Sequence, residues 1–188
     1  MSTLKRITLG TVLLFVVDCA LAQAHDWLWV VGNEGISHGN SIARDSQGNI
    51  YIVGEFSQTA NFGTISLTSA GSWDVFVAKL DQDGNWLWVK RAGGSDAEWG
   101  ESVTVDDAGN IYLTGSFYQT AAFGTTNLTS AGGLDTFIAK LDTNGNWLWA
   151  RRAGGTNYDE GFHICSHGSN SVYTRAISMG RPVLDPPP

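Results

Sequence analysis

The chain has 188 residues, of which 43% are hydrophobic, so it can form a sizeable core within one or two domains. Only 15% of the residues are charged, 23 are glycine and the formal net charge is -7, a balance that argues against a disordered chain. An acidic chain without a cluster of Lys or Arg lacks the basic footprint of nucleic-acid binding, so no nucleic-acid partner is expected.

The first 22 residues have the layout of a secretory signal peptide. Lys5 and Arg6 precede an apolar run over residues 7–17, and the sequence Ala-Leu-Ala at 20–22 forms a cleavage site. We therefore expect residues 1–22 to be removed. The mature protein is then expected to be bacterial and extracytoplasmic, either secreted or at the cell surface, with no membrane span left.

The sequence fits two alternatives to a cleaved signal peptide less well. A membrane anchor needs about 20 apolar residues, and Asp18 interrupts this run too early. A lipid-modified Cys19 would need a small residue where Asp18 stands. Removal of the signal also removes Cys19 and leaves Cys165 as the single cysteine, so no intrachain disulfide can form in the mature chain.

From residue 41 onward the sequence repeats with a period of 61 residues. Residues 41–94 align without a gap with residues 102–155, and 34 of the 54 aligned positions are identical. Repeats of this length are typical of architectures in which each unit is one supersecondary element. The predicted division is a signal peptide (1–22), a partial first unit (23–40, with Trp27-Leu28-Trp29), two full units (41–101 and 102–161) and a divergent tail (162–188).

Each full unit contains four short segments with the alternating pattern of β-strands. In the first unit they are residues 41–45, 50–56, 74–80 and 86–91, which are rich in aromatic and β-branched residues. Within the second segment, alternation places Tyr51 and Val53 on one face and Ile50, Ile52 and Phe56 on the other. The mature chain shows no helical period.

The turns between these segments carry Asp and Gly at a fixed spacing. Asp45-x-x-Gly48 joins the first two strands and Asp81-x-x-Gly84 joins the last two, as expected of a type I turn followed by a G1 bulge. Each unit is therefore predicted to be two hairpins connected by residues 57–73. Four antiparallel strands in one repeat of this size are typical of a β-propeller blade.

The repeat resembles a known bacterial family, the SBBP β-propeller repeat. The resemblance rests on Asp-x-x-Gly-Asn-Ile-Tyr-x-x-Gly followed by Asp-x-Phe-x-Ala-Lys-Leu-Asp-x-x-Gly-Asn-x-Leu-Trp, found twice in order, and it covers residues 27–161. It implies a propeller fold in secreted or surface-attached bacterial proteins. It implies no activity, because the family has no shared catalytic residues to transfer to this chain.

The number of units does not suffice for a closed ring. A propeller closes with about four to eight blades, whereas this chain has two full units and a partial unit at each end. The predicted fold is all-β: a partial, open β-propeller of four-stranded antiparallel blades. The chain is then a fragment of a longer protein, a member of a ring completed by association, or an open arc.

The tail departs from the repeat after Gly161. Tyr173 follows Tyr112 by 61 residues, but the surrounding side chains do not match, and the final Asp185-Pro-Pro-Pro188 cannot enter a central strand. A frameshifted or truncated reading frame and a genuinely divergent last blade are the two explanations.

One turn resembles the start of a calcium-binding loop. Asp81-Gln-Asp-Gly-Asn85 supplies oxygen ligands, but the twelfth position is Ala92 where an EF-hand needs Glu, and Asn144 replaces Asp83 in the second unit. A hairpin turn explains the same Asp and Gly. No metal site and no cofactor are expected.

The Trp-Leu-Trp triplets invite a sugar-binding interpretation. Trp86 and Trp88 are expected on one strand face, because side chains alternate. Large aromatic residues at a fixed place in each unit favour packing between blades instead. The segment from Asp81 to Trp86 is also similar to tryptophan-docked propellers of quinoprotein dehydrogenases, which need a full ring and a cofactor pocket.

Residues with catalytic chemistry show no recurrent arrangement. The four histidines, His25, His38, His163 and His167, have no Ser/His/Asp or metal-ligand spacing, so no catalytic residue is predicted. The acids that follow Gly-Gly are expected in solvated loops between blades: Glu98, Glu101, Asp159 and Glu160. The repeated Lys79 and Lys140 are candidates for a functional role, for solubility or for pairing with a neighbouring acid.

The sequence as a whole favours a secreted, non-enzymatic binding or scaffold module with a protein or surface glycan as partner. A remnant of a longer repeat protein without independent function is the second hypothesis, and a fragment of a propeller hydrolase or quinoprotein is the third. Unburied edge strands and aromatic faces also predict that the chain associates with itself.

Overall fold

The structure is a computed structural model and describes residues 34–168, 171–179 and 183–184. The predicted signal peptide (1–22), most of the partial unit 23–40 and the closing prolines lie outside the described residues, as do Cys19 and His25. All regular elements of the described part are β-strands. No described helix has the length and apolar character to cross a membrane.

The strands follow the two full units and continue into the tail. The first unit contains β1 (Glu34–Arg44), β2 (Ile50–Phe62), β3 (Ile65–Thr68), β4 (Asp74–Leu80) and β5 (Trp86–Gly94). The second contains β6 (Glu98–Val105), β7 (Ile111–Phe117), β8 (Thr120–Phe123), β9 (Thr126–Thr129), β10 (Asp135–Leu141) and β11 (Trp147–Gly154). The tail contributes β12 (Asp159–His167), β13 (Ser171–Ser178) and the short β14 (Val183–Leu184).

Each full unit forms a four-stranded antiparallel meander. The first sheet has the order β1-β2-β4-β5 and the second β6-β7-β10-β11, while β12 and β13 form the first two strands of a third sheet. The described sheets form an open arc. The predicted fold class, an open propeller of four-stranded antiparallel blades, is confirmed.

The Asp-x-x-Gly segments form the predicted turns. In the turn from β6 to β7, the Gly109 N–H donates to the Asp106 carbonyl at 2.9 Å, and Gly109 has a left-handed φ of +81°. Asp106 Oδ1 accepts the N–H groups of Ala108 and Asn110 at 2.9 and 2.8 Å. The carboxylate thus accepts hydrogen bonds from backbone N–H groups of the turn that no neighbouring strand supplies with an acceptor. This explains why Asp recurs in the turns.

Residues 57–73, predicted as a plain connection between the two hairpins of the unit, contain an additional hairpin. β2 runs on to Phe62 and pairs with β3. In the second unit the corresponding hairpin β8–β9 pairs with the edge of the first sheet, where Ala122 lies opposite Gly93. This hairpin therefore links one blade to the next. The sequence analysis missed it because β3, β8 and β9 are only four residues long, too short for a clear alternating pattern.

A hydrophobic core fills the space between the first and second sheets. The first sheet contributes Tyr51 and Val53, and the second contributes Ile111, Leu113 and Phe137, all buried. The opposite face of the first sheet, with Ile50, Ile52 and Phe56, belongs to a separate cluster. The predicted division of β2 between two faces is therefore confirmed, and both faces are buried.

The first strands of the three sheets lie side by side, since β1 contacts β6 and β6 contacts β12. The same hydrogen bond recurs at both contacts. Ser41 Oγ accepts the Val103 N–H at 3.2 Å, and Ser102 Oγ accepts the Ile164 N–H at 3.2 Å. One hydroxyl per repeat thus fixes the register between neighbouring blades.

The tail keeps the strand pairing of the repeat although its side chains diverge. Asp159 pairs with Ser178 as Glu98 pairs with Phe117 in the second sheet. β14 pairs with β11 at the position where β8 pairs with β5 one repeat earlier. Much of the tail therefore has the backbone arrangement of a third blade.

Candidate functional site

A cleft of about 290 Å³ opens between the second and third sheets; we call it the interblade cleft. β6 and β12 supply both walls, and the ends of neighbouring strands complete it. Its lining residues are Trp99, Glu101, Ser116, Tyr118, Leu134, Tyr158, Glu160 and Phe162. A concave, largely apolar site with a few polar groups is the usual form of a ligand pocket.

Two β-bulges place side chains in this cleft. In β6, Gly100 and Ser102 have partners on β7 but Glu101 has none, so Glu101 is the extra residue of a bulge. In β12, Phe162 is the extra residue between Gly161 and His163. A bulge redirects the side chain of its extra residue. Both redirected side chains line the cleft.

Three aromatic rings of the lining meet edge to face. The ring centroids of Trp99 and Tyr118 are 5.9 Å apart at an interplanar angle of 72°. Those of Tyr118 and Tyr158 are 6.4 Å apart at 89°. Edge-to-face contacts are favourable because the positive ring edge meets the negative ring face. The rings thus form adjoining walls instead of one flat stack.

The cleft carries two carboxyl groups, those of Glu101 and Glu160. Burial raises the pKa of Glu101 above its usual value, and the negative charge of Glu160 raises it further. Neither carboxylate forms an ion pair with a described basic residue. The cleft is therefore an electronegative region whose charge is not compensated by the described part of the protein.

At the equivalent position between the first and second sheets, which we call the first position, the side chains contact one another. His38 stacks on Trp73 with ring centroids 5.1 Å apart. Glu55 accepts hydrogen bonds from His38 Nδ1 at 3.1 Å and from Asn40 Nδ2 at 2.7 Å. Asn40 also donates to the Gly100 carbonyl at 3.0 Å. The polar groups of this first position thus satisfy one another, whereas Glu101 and Glu160 of the interblade cleft have no ion-pair partner among the described residues.

The acids predicted in loops lie in strands. Glu98 and Glu101 are in β6, while Asp159 and Glu160 are in β12. The expectation of solvated loop acids is wrong, because the connections after the Gly-Gly segments are only three residues long and β6 and β12 begin at Glu98 and Asp159. Glu101 and Glu160 line the cleft, whereas Glu98 and Asp159 are buried between the sheets.

A buried acidic joint connects the first and second sheets. Asp74 accepts a hydrogen bond from Arg91 at 2.9 Å and further bonds from the backbone N–H groups of residues 70 and 71. Glu98 Oε2 accepts the Gly94 N–H at 2.9 Å, while Oε1 is buried without a partner. Burial raises the pKa of Glu98 to about 8, although the bond from Gly94 opposes this.

The same joint recurs one repeat later. Arg152 donates to Asp135 at 2.8 Å, and Asp159 Oδ2 accepts the Gly155 N–H at 2.8 Å. The side chain of Asp135 is fully buried and that of Asp159 nearly so. Because the joint repeats with the fold, it belongs to blade connection and not to one binding site.

In the two Trp-Leu-Trp triplets that the structure describes, residues 86–88 and 147–149, the two tryptophans lie on opposite faces, so the expectation of one shared face is wrong. Trp88 pairs with Lys79 and Trp86 with Leu80, which leaves Leu87 as the extra residue of a bulge. Trp86 packs edge-on against Phe62 at 5.3 Å, whereas Trp88 contacts the Tyr51 ring of the core between sheets at 6.2 Å. The predicted packing role of these residues is confirmed.

The turn compared with a calcium loop uses its carboxylate internally. Asp81 Oδ1 accepts the N–H groups of Asp83 and Asn85, each at 2.9 Å, and Oδ2 accepts Asn85 Nδ2 at 2.8 Å. These bonds hold the pKa of Asp81 below its usual value. Within the described ranges, no group of three or more His, Cys, Asp or Glu side chains gathers around one metal position.

The repeated lysines lie over tyrosine rings. Lys79 Nζ is 5.3 Å from the ring centre of Tyr51, and Lys140 Nζ is 5.0 Å from that of Tyr112. Lys79 also donates to Thr143 of the second sheet, at 3.1 Å to Oγ1 and 3.3 Å to the carbonyl. The structure thus gives Lys79 a role in holding two blades together.

A Ser-His contact between the second and third sheets does not form a nucleophile. His163 Nδ1 lies 3.2 Å from Ser102 Oγ, but this hydroxyl is buried and accepts the Ile164 N–H. Among the described residues, no carboxylate hydrogen-bonds to His163. Cys165 is a free, exposed thiol, and His167 is exposed near it on β12.

Sequence reasoning missed Tyr118, Tyr158 and Phe162 as site residues. The signal that marks them is difference between repeats: Tyr118 replaces Ser57 of the first unit, and Tyr158 replaces Ala97. Leu134 replaces Trp73 in the same way and opens space. Identical positions mark the scaffold, whereas the cleft lies where the units differ.

Comparison with known proteins supports the repeat assignment. The model of the SBBP β-propeller repeat matches residues 31–55 and 87–116. The predicted resemblance is therefore confirmed. The first match covers β1 with the start of β2, and the second covers β5 to β7.

Two curated proteins are similar to this chain at low identity. An uncharacterised WD repeat-containing protein of Acanthamoeba polyphaga mimivirus is 25% identical over 113 residues, which are 50% of this chain and 8% of that protein. The regulatory protein FlaEY of Caulobacter vibrioides is 30% identical over 134 residues, which are 68% of this chain and 14% of that protein. The chain thus spans a small part of the length of both relatives.

Proposed function

We propose that this chain, which carries SBBP β-propeller repeats, is a non-enzymatic ligand-binding module, and that its ligand occupies the interblade cleft. The observation that carries the proposal is one cleft in which aromatic rings lie beside the carboxylates of Glu101 and Glu160, neither of which has an ion-pair partner among the described residues. At the equivalent first position, His38 stacks on Trp73 and the carboxylate of Glu55 has hydrogen-bond partners. One site of two therefore has groups available for a ligand.

The place of action in this proposal is outside the cytoplasm. The layout of residues 1–22 supports export, and a secreted or surface-attached bacterial module would meet soluble ligands, proteins or surface glycans there. The name of the Caulobacter relative describes a regulatory protein, which is compatible with a binding role but concerns a protein of which this chain spans 14%.

A second candidate function is hydrolysis of a glycoside. The observation in its favour is a pair of carboxyl groups in one cleft, of which Glu101 has a raised pKa. Glycosidases use such a pair as acid and as nucleophile or base. This candidate predicts turnover of chromogenic glycosides that is lost in E101Q and in E160Q. Absence of turnover together with ligand binding would favour the non-enzymatic module.

The direct test is ligand-detected and protein-detected NMR on the full chain labelled with ¹⁵N. A panel of amino acids, amines, monosaccharides and carboxylates is titrated while the indole N–H of Trp99 is observed. The matched variant is L134W. It introduces at the cleft the tryptophan that the first unit has at the equivalent position, Trp73. We expect one class of compound to shift the Trp99 signal and L134W to abolish that shift.

A second variant guards against misfolding of L134W. Y118S introduces the serine that the first unit has at the equivalent position, Ser57. It removes one aromatic wall of the cleft, and the new side chain is smaller than the one it replaces. It should weaken binding, and a cooperative thermal melt checks that the variant is folded. If no compound shifts Trp99 up to about 10 mM, a concentration that detects even millimolar affinity, the proposed binding function is wrong.

A further inference from the structure

We infer that the ligand of the interblade cleft is an alkylammonium cation, a quaternary or primary ammonium group carried on a small molecule or a side chain. The inference deepens the proposed binding function and rests on it. It is carried by the combination of two carboxylates that have no ion-pair partner in the described part of the chain with three aromatic rings that meet at steep angles.

The charge of the cleft selects the sign of the ligand. Glu101 and Glu160 both line the cleft, and neither forms an ion pair with a described Lys, Arg or His. At the first position, by contrast, the carboxylate of Glu55 is compensated, because it accepts hydrogen bonds from His38 and Asn40. An anion would be repelled from the interblade cleft, whereas a cation supplies the missing partner.

The arrangement of the rings selects a compact cation. Trp99 meets Tyr118 at 72°, and Tyr118 meets Tyr158 at 89°, so neighbouring rings of the cleft lining stand nearly perpendicular to each other. The negative faces of several aromatic rings around one point attract an ammonium group, as in aromatic cages. A pyranose ring is better served by one broad aromatic face, which rings at right angles do not present.

The apolar lining fits the carbon substituents of such a cation. Leu134 is buried and lines the cleft, and Phe162 is directed into it by the bulge of β12. Methyl or methylene groups on the nitrogen gain from contact with this surface, while a bare metal ion gains nothing from it. The cleft volume of about 290 Å³ leaves room for a trimethylammonium group and part of its chain.

The test compares choline with its neutral isostere, 3,3-dimethyl-1-butanol, on the full chain by isothermal titration calorimetry and by the NMR signal of Trp99. The two compounds have the same shape and differ by one charge. We expect choline to bind at least about tenfold more tightly, because cation–π and carboxylate contacts act only on the charged compound. A peptide with one trimethyl-lysine tests whether a side chain is the better source of the cation.

Variants separate the charge from the shape of the cleft. The double variant E101Q/E160Q keeps the side-chain size and should remove most of the difference between choline and the isostere. D107N removes one charge from an exposed turn residue outside the cleft lining and should leave choline binding unchanged. Circular dichroism melting curves confirm that each variant is folded before binding is compared.

The possible outcomes have distinct meanings. Tight binding of choline or of the peptide, lost in E101Q/E160Q, supports the inference and identifies which carries the cation. Equal binding of choline and its isostere, or preferential binding of a monosaccharide, overturns the ammonium inference but leaves the proposed binding function standing. Absence of any shift at Trp99 for every compound overturns both.

Discussion

The ammonium group of Lys79 donates to the hydroxyl and the carbonyl of Thr143, 64 residues away in the next sheet, at 3.1 and 3.3 Å. The same ammonium group lies over the Tyr51 ring of its own sheet. One side chain thus connects the third strand of one blade to the turn between the last two strands of the next. The relation shows how a repeat stabilises its neighbour.

Lys79→Met is expected to lower the free energy of unfolding more than Lys140→Met. Lys140 lies over Tyr112 at 5.0 Å but has no hydrogen-bond partner among the described residues, so its loss removes only the ring contact. The bonds of Lys79 to Thr143 should make its replacement costlier by about 1–2 kcal/mol. Urea denaturation of both variants measures this, and equal losses would contradict the role assigned to Lys79.

Asp106→Ala is expected to destabilise the chain by roughly 1–3 kcal/mol, because it leaves several turn donors unsatisfied. The carboxylate accepts bonds from the backbone of Ala108 and Asn110 and from the Tyr112 hydroxyl. The neighbouring exposed Asp107 provides the control, and D107A should change stability little. Thermal melts compare the two variants; similar melting temperatures would show that the turn does not depend on this side chain.

Glu98 should make stability depend on pH in the range from about 4.5 to 8. Its pKa in the folded protein is raised to about 8 from an ordinary value of 4.5, mainly by burial. The stabilisation is therefore complete below pH 4.5 and is lost as pH rises through the folded value. In E98Q this decline should be reduced, as measured by urea unfolding at several pH values with D107N as the charge-matched control.

The direction of the pH dependence distinguishes a neutral, buried Glu98 from an ionised, paired one. If Glu98 were ionised and well paired in the folded protein, stability would instead fall as the pH is lowered. An unchanged slope in E98Q would show that Glu98 does not titrate in this range.

Self-association remains a prediction, and the third sheet indicates where it would occur. β13 pairs only with β12 among the described strands, so its other edge is open to pairing. Tyr173, Ile177 and Met179 on or just after β13 are 61%, 47% and 69% exposed. Size-exclusion chromatography with light scattering of the full chain should show oligomers or aggregates, and I177K should shift the population towards monomer. A wild-type monomer with a cooperative melt would contradict the prediction.

Much of the scaffold could be predicted because its signals are local. The spacing of Asp106 and Gly109 forms a turn through contacts within four residues, so the turn can be recognised in the sequence. Alternation assigned Tyr51 and Ile50 to opposite faces because a regular strand fixes the direction of each side chain. The period of 61 residues then predicted that each unit builds a sheet with the same strand order, as observed.

Only the tertiary structure decided where bulges interrupt the alternation of side chains along a strand and which residues of neighbouring repeats come into contact. The bulge at Leu87 sends Trp86 and Trp88 to opposite faces, and the bulge at Glu101 directs an acid into a cleft. A bulge depends on the register between two paired strands, which no pattern within one strand reveals. The cleft itself combines Tyr118 with Tyr158, which come together only when the third sheet docks on the second. The sequence by itself thus determined the repeat, its turns and its blade, whereas contacts between blades determined the candidate site.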